Sequence, residues 1–501
     1  MCIILCMIYK LIKFLCSKDL RTFLISSLFH FSLYFSTSNK ILLLFSLILL
    51  IALYQHLKKL PLTLFYVFLL TLPFAKGKGI DILLLDKKYI LKNAIFNIEY
   101  LFPFYLSSFY LGLFYLHYLR KKLYFKTKKI FISKNNKVLI SIFLLFIVST
   151  ASNSIFTMFD IPVFLSSIQL VILLSIFLIP FILHSLYKKL DDFSMVIASS
   201  TLFQSVWLIL QTINQGHLNK DIEVFLFSNK LSVTSSENSN LLRLPGTFFE
   251  SSILGTFLLT NVSILTFVFL SNKIKDKKKR KIISIASILG LFAILLTGSR
   301  AIYLISLLLL LIILKTKTFL FKKKIKNVFQ TIKKHNFFIP LVIIGILFVS
   351  PYLINRLGSS NQLFSKEGSG TYRIQLSQYS LRLLEKKPLL GVGLNLSPYY
   401  LATSFPQEDY FVDPSHPHNL LIQLLAETGI IGTILFSIFI YLIFRPVIKN
   451  NFSKYSEFHL AAFIFFLCAQ VYPIFINHME IISYLFLYLG FAAHQNQIKQ
   501  K

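Results

Sequence analysis

Acidic residues are scarce in this chain: 20 Asp and Glu stand against 52 Lys and Arg in 501 residues, a formal net charge of +32. Cysteine is scarcer, with four, at positions 2, 6, 16 and 468. No spacing among them suits zinc or a disulfide framework. There is no Asp-x-Asp and no outer cluster of carboxylates at ligand spacing, so neither a metal nor a cofactor is expected. No internal repeat or low-complexity linker divides the chain, and residues 1–501 read as one domain. The N-terminal stretch MCIILCMIYKLIKFLCSK lacks the leading charge and small-residue cleavage site of a removable signal; it reads as a cytoplasmic or interfacial lead-in.

What is abundant is apolar sequence. The chain is 55% hydrophobic with a mean hydropathy of +0.69. Many runs approach the roughly 20 residues needed to cross a bilayer as a helix. An outer-membrane barrel would show short alternating segments instead. The expected fold is all-α: a polytopic helical membrane protein with about 12–14 transmembrane helices. Fourteen segments suggest themselves, at 22–37, 41–57, 60–75, 98–119, 138–153, 162–184, 193–214, 250–271, 282–298, 301–315, 337–352, 418–444, 459–476 and 479–494.

The distribution of charge argues against a nucleic-acid partner and for a topology. Residues 120–137 hold eight Lys or Arg and no acid, 272–281 hold seven against one Asp, and 315–334 hold eight and no acid. Such loops stay on the cytoplasmic side. By alternation, 216–249 and 352–417 lie outside, and their charges nearly balance: three basic against three acidic, and six against five. Loop 76–97, expected outside, departs from the rule with five lysines against two aspartates. Within the large outer insertion 352–417, Tyr372, Leu376, Tyr379 and Leu383 recur at helical spacing, so an amphipathic helix is expected near 371–387. It would lie on the outer leaflet or lid a cavity. Lys386 and Lys387 suit its last turn, and Pro388 stops it.

Four groups of unusual residues converge on the outer face in this topology. RLPGTFFESSILG carries Arg243 before a membrane segment and Glu250 at its start. LTGSRAIYL makes a whole turn of Gly298, Ser299 and Arg300. Arg373 and Arg382 lie on the amphipathic helix, followed by PLLGVGLN. DPSHPHNLLIQLLAETGIIG holds His416 and His418 and then Asn419, Gln423 and Glu427 at steps of four. Each group also has a plainer reading. Arginines near helix ends snorkel to the interface, and the G-x-G at 391–393 reads more readily as a simple turn than as a phosphate cradle. His416 reads as an ordinary cap or interface residue. Asn419, Gln423 and Glu427 share one helix face within about 80°, which is costly in a membrane unless it meets a wet cavity or partner helices. Arg300 resists the plain reading, because a tight turn explains Gly298 and Ser299 but not an arginine. Taken together, guanidiniums suited to phosphate oxygens and an imidazole able to take a proton suggest displacement of a lipid pyrophosphate from a sugar's anomeric carbon.

The sequence resembles the O-antigen ligase and O-antigen polymerase superfamily of bacterial polysaccharide assembly. In HNLLIQLLAETGIIG, His418, Asn419, Gly429 and Gly432 fit that family's His-[Asn/Ser/Gln]-x9-Gly-x2-[Gly/Thr/Tyr] pattern. RLPGTFFESSILG is similar to its Arg-x-x-Gly-Thr-Phe segment, with Glu250, Ser251 and Ser252 replacing the usual Asn-Pro-Asn. LTGSRA resembles its Thr-Gly-Ser-Arg turn. YRIQLSQYSLRLLEKKPLLGVG resembles the segment before its catalytic histidine. The likeness spans about 240–435.

The resemblance implies a metal-independent membrane glycosyltransferase, acting at the periplasmic face of the bacterial inner membrane on a glycan carried by undecaprenyl or another polyprenyl pyrophosphate. His418 would be the general base or orient the acceptor. Arg243 and Arg300 would hold the pyrophosphate, Arg373 would help place donor or acceptor, and Asn419 and Glu427 would bind substrate. The acceptor would be lipid A-core for a ligase or another lipid-linked glycan for a polymerase; a third relative glycosylates proteins. A flippase or transporter of lipid-linked sugars is the alternative of another class, and it should place ionisable groups near the bilayer midplane.

Overall fold

The computed structural model describes residues 20–32, 39–72, 106–125, 133–156, 161–183, 190–218, 232–236, 239–248, 250–271, 274–311, 369–404, 416–449, 457–472 and 479–499. The membrane segment expected at 337–352 and the loop 76–97 lie outside them. The described elements are helices α1 (Arg21–Ser32), α2 (Asn39–Leu57), α3 (Leu60–Thr71), α4 (Leu106–Phe125), α5 (Lys134–Phe156), α6 (Ile161–Ile182) and α7 (Leu190–Asn214). A hairpin of β1 (Ser232–Ser236) and β2 (Ser239–Arg243) follows. Then come α8 (Ser251–Leu270), α9 (Lys277–Leu296), α10 (Arg300–Leu311), α11 (Ser369–Lys386), α12 (Ser397–Ser404), α13 (Leu420–Lys449), α14 (Glu457–Ala469) and α15 (Met479–Lys499). The protein is an all-α, polytopic membrane protein. Four described helices are long and apolar enough to cross a bilayer, and five shorter apolar helices accompany them. The hairpin is an antiparallel departure inside the expected outer loop 216–249, with Ser232 opposite Arg243.

The helices form because apolar side chains recur with little interruption, and lipid solvates the side that protein does not cover. On α13, Phe436, Phe439, Ile443 and Val447 are buried, while Ile430, Ile434, Ile438, Tyr441 and Ile448 form an exposed stripe suited to acyl chains. Phe439 meets Phe143 of α5, Phe177 of α6 and Phe486 of α15 in one aromatic cluster. α8 is enclosed, packed by α7, α9 and α14. Its Asn261 accepts a hydrogen bond from Tyr488 of α15 (2.6 Å), which satisfies a carbonyl deep among apolar side chains.

Contacts at the helix ends set the directions. Asp276, the lone acid of the basic loop 272–281, caps α9 by accepting from the backbone N–H groups of Lys278 (2.7 Å) and Lys279 (3.2 Å). Lys279 reaches Asp191 (3.5 Å) and Asp192 (3.9 Å) at the start of α7. The basic end of the bundle thus holds the starts of α7 and α9. The opposite end holds the ends of α7, α9 and α14 and the starts of α8, α10 and α13, and the unusual sequence groups gather there.

Candidate active site

Two glutamines on α7, two turns apart, hold the Gly246–Thr247 corner. Gln211 accepts from the Gly246 N–H (3.0 Å) and donates to the Gly246 carbonyl (3.1 Å). Gln204 accepts from the Thr247 N–H (3.3 Å) and donates to the Thr247 hydroxyl. Arg243 ends β2 three residues before this corner. Glu250 precedes α8, is exposed, and accepts a hydrogen bond from Ser252 (3.1 Å). Gly255, one turn into α8, lies against the next group: a β-carbon there would meet Ile302 at 3.0 Å and Thr297 at 3.5 Å. The Thr297–Arg300 turn is therefore packed on the first turn of α8. Ser299 is buried and hydrogen-bonds the Tyr472 hydroxyl, and Arg300 opens α10, half-buried.

The segment Pro388–Gly393 clasps a break in α13. Gly429 leaves the helical conformation (φ 64, ψ −169), so two helical hydrogen bonds, from Ile430 to Ala426 and from Ile431 to Glu427, are not made. The N–H groups of Ile430 and Ile431 donate instead to the carbonyls of Pro388 (2.9 Å) and Leu389 (3.2 Å). The freed carbonyls of Ala426 and Glu427 accept from Val392 (2.9 Å) and Gly393 (3.0 Å). All four backbone groups stay satisfied, which a membrane interior demands. Close approach requires the glycines: a β-carbon at 391 would stand 2.5 Å from the Glu427 carbonyl carbon, and one at 429 would stand 2.3 Å from the Leu389 oxygen. The turn leads from α11, whose Tyr372, Leu376, Tyr379 and Leu383 pack with Val392, Tyr400 and Leu401 as a small separate core.

The break buries Glu427 completely. One carboxylate oxygen accepts from Ser397 (2.7 Å) and lies 3.0 Å from His416 Nδ1; the other accepts from the Asn395 N–H (3.0 Å). Gln423 Nε2 lies 3.3 Å from both oxygens. His416, read from sequence as a bystander, is thus an internal partner of a buried carboxylate. Its contact spans eleven residues, from the turn before α13 to the second turn of the helix, which no local pattern reveals.

His418 lies two residues further on in different surroundings. Its Nδ1 is buried and has no hydrogen-bond partner among the described residues. The Val471 backbone is a hydrogen-bond partner of the imidazole, which falls to Nε2 because Nδ1 is unpartnered. Burial, with Arg373 and His416 nearby, pushes its pKa down to about 3, against the weaker upward pull of Val471. The ring is therefore neutral at physiological pH. A tautomer with the proton on Nε2 leaves the Nδ1 lone pair as the accepting atom. Tyr372 approaches edge-on, 6.3 Å between centroids. Arg373 lies over the Tyr472 ring, 5.5 Å from guanidinium to centroid.

Asn419 is committed to structure. Its side-chain oxygen caps α13 by accepting from the Ile422 N–H (3.1 Å), and its amide donates to the Gln470 carbonyl (3.3 Å). Arg382 is exposed on α11 and lies over Tyr379 at 5.1 Å. The structure thus gathers His418, Asn419, Arg373 and the Ser299–Arg300 turn around Gln470–Tyr472. It joins Glu427 to His416 rather than to His418. Among the described residues, no group of three or more His, Cys, Asp or Glu is arranged to hold a metal ion. Tyr472 escaped the sequence reading, because nothing in its local pattern sets it apart.

Comparison with known proteins bears on the same region. The sequence model of the O-antigen ligase family matches residues 285–437, which contain the Thr297–Arg300 turn, α11, the clasp and both histidines. A protein of Rickettsia conorii named as a polysaccharide ligase is 29% identical over 110 residues, 21% of this chain and 27% of that protein. One of Rickettsia felis, named likewise, is 29% identical over 113 residues, 22% of this chain and 27% of its own length. The matches thus span about a quarter of those relatives. The Arg243–Gly255 group lies upstream of the matched family segment. Family match, helical membrane architecture and fitted sequence groups agree: residues 285–437 of this membrane protein are similar to the O-antigen ligase family.

Proposed function

We propose that the protein is a metal-independent glycosyltransferase of the ligase kind. It moves a glycan from undecaprenyl pyrophosphate, or a related polyprenyl carrier, to an acceptor hydroxyl such as one of lipid A-core, at the periplasmic face of the inner membrane. The observation that carries this reading is the meeting of Arg373 with a neutral His418 whose Nδ1 is unpartnered, at the bundle end opposite the basic loop 272–281. The positive-inside rule assigns the basic end to the cytoplasm, so the site end faces outward. In this orientation 216–249 and 352–417 are outer loops, and the proposed organisation is one domain over 1–501.

In the reaction, the acceptor oxygen attacks the anomeric carbon. The bond from that carbon to the pyrophosphate oxygen breaks, and the bonding pair leaves with the carrier pyrophosphate. The hydroxyl proton passes to His418 Nδ1. Arg373, Arg300 and Arg243 hold the phosphate oxygens, and fixed guanidiniums stabilise the departing charge. A bound pyrophosphate beside Arg373 also offsets the charge that depresses the imidazole, making His418 a stronger base when the donor is present. Glu427 contributes through His416 and the Asn395–Ser397 turn, and Asn419 by starting α13, rather than by touching substrate. A polymerase reading differs only in the acceptor; the similar Rickettsia proteins, named as polysaccharide ligases, favour the ligase.

The test is transfer by the purified full chain in lipid nanodiscs, with chelator present, from undecaprenyl-pyrophosphate-linked glycan to lipid A-core. Wild type should transfer, and His418→Ala should be slower by about 10²–10⁴-fold, the usual worth of a general base. Undiminished transfer by His418→Ala would remove the base assignment. Loss of wild-type activity on chelation would remove metal independence. Glycan lengthening on the carrier without lipid A-core would make the enzyme a polymerase.

A further inference from the structure

The turn after α14 lies outside the matched family segment, yet each of its three residues holds a different part of the site. α14 ends in a tightened turn, with Val471 and Tyr472 both donating to the Cys468 carbonyl (3.0 and 3.2 Å). The next carbonyls would be left without partners at a helix end, and the site uses them: Gln470 accepts from Asn419 and Val471 partners His418. Tyr472, 5% exposed, adds its ring beneath Arg373 and its hydroxyl on Ser299. α11, α13 and the α9–α10 turn approach from separate parts of the chain, and this turn is what they share.

We propose that Tyr472 is a positioning residue: its ring seats the Arg373 guanidinium beside His418, and its hydroxyl ties that pair to the Thr297–Arg300 turn. A guanidinium on a long, flexible stem samples many rotamers, and an aromatic face beneath it restricts them and adds electrostatic attraction. The ring does the seating and the hydroxyl does the tying, so the two functions separate in mutants. Tyr472→Phe keeps the ring and loses the tie to Ser299. Tyr472→Leu keeps bulk and burial and loses the ring.

Two measurements on the full chain in nanodiscs test this, and only one rests on the proposed function. The first is the rate at which phenylglyoxal modifies Arg373, read by peptide mass spectrometry. Tyr472→Leu should react several-fold faster than wild type, and Tyr472→Phe should match wild type. Equal rates in wild type and Tyr472→Leu would overturn the proposal, whatever the enzyme's substrate. The second is the dissociation constant for undecaprenyl pyrophosphate. Tyr472→Leu should weaken it by about 2- to 30-fold, the range of a cation–π contact. Adding Tyr472→Leu to Arg373→Ala should cost nothing further, because the ring acts through the arginine. Full additivity would also overturn the proposal. Altered Arg373 reactivity without carrier binding by any form would uphold the positioning and reject the pyrophosphate reading.

Discussion

His416 and His418 are separated by a single proline, yet they occupy opposite chemical situations. His416 faces the helix break, where Glu427, Ser397 and Gln423 surround its Nδ1. His418 faces Arg373 and Tyr372 with an unpartnered Nδ1. The difference teaches how one short turn serves two purposes. A histidine whose Nδ1 is committed to a buried carboxylate braces the fold through that nitrogen. A neutral histidine held through Nε2 offers its Nδ1 lone pair. Side-by-side histidines in a sequence do not announce this division; the Glu427 that separates them arrives from two turns inside α13.

The sharpest way to break the comparison is to remove Glu427. Glu427→Ala strips a fully buried carboxylate from His416, Ser397 and the Asn395 N–H, and removing one member of such a set costs about 3–5 kcal/mol. Thermal unfolding should fall sharply, and reduced activity should track the folded fraction. A variant that melts like wild type would show that the network is not a brace.

On the His418 side, charge type should matter more than charge. Arg373→Lys and Arg300→Lys should each lower transfer by about 10- to 100-fold, because a lysine cannot reproduce a planar fork on phosphate oxygens. Arg382→Lys, at an exposed site over Tyr379, should stay near wild type. Wild-type transfer by both lysine variants would reduce those arginines to membrane anchors.

Acid should act on the fold through His418. An unfolded chain binds the His418 proton below about 6.5, and the folded chain only near pH 3. Between those values the unfolded state holds more protons, so stability is present above 6.5 and is lost as pH falls toward 3. His418→Gln should flatten that part of the melting-temperature profile. An unchanged profile would mean that the ring is already solvated.

The smallest effect belongs to Asn419. Its loss removes a cap from α13, worth about 1 kcal/mol, so Asn419→Ala should lower the melting temperature slightly. Asn419→Asp or Asn419→Ser should restore it, since both can cap. A large activity loss at full stability would return Asn419 to substrate binding.

Much of the membrane architecture was legible because lipid enforces long apolar runs: the segment expected at 250–271 is α8, Ser251–Leu270. The 4-3-4 spacing of Tyr372, Leu376, Tyr379 and Leu383 is the packed stripe of α11. The run at 418–444 was expected as one helix, but α13 is broken at Gly429. The break is invisible locally because its replacement hydrogen bonds come from residues 388–393, about forty positions away. Asn419 caps α13, and its place before an apolar run is a capping signal that went unread. Tyr472 was out of reach, since only the folded chain brings the end of α14 to the His418 turn. The β1–β2 hairpin went unforeseen in a polar stretch without a strong alternation.

The central claim, that His418 is the reacting imidazole and His416 the brace, is tested by measuring transfer rate and melting temperature on the same preparations of the two alanine variants. His418→Ala should melt within a few degrees of wild type, about the effect of 1 kcal/mol or less in a chain this size, and lose about 10²–10⁴-fold in rate. His416→Ala should melt markedly lower and, assayed below its melting range, keep most of its rate. The reverse pattern, with His416→Ala stable but inactive and His418→Ala active, would contradict the account.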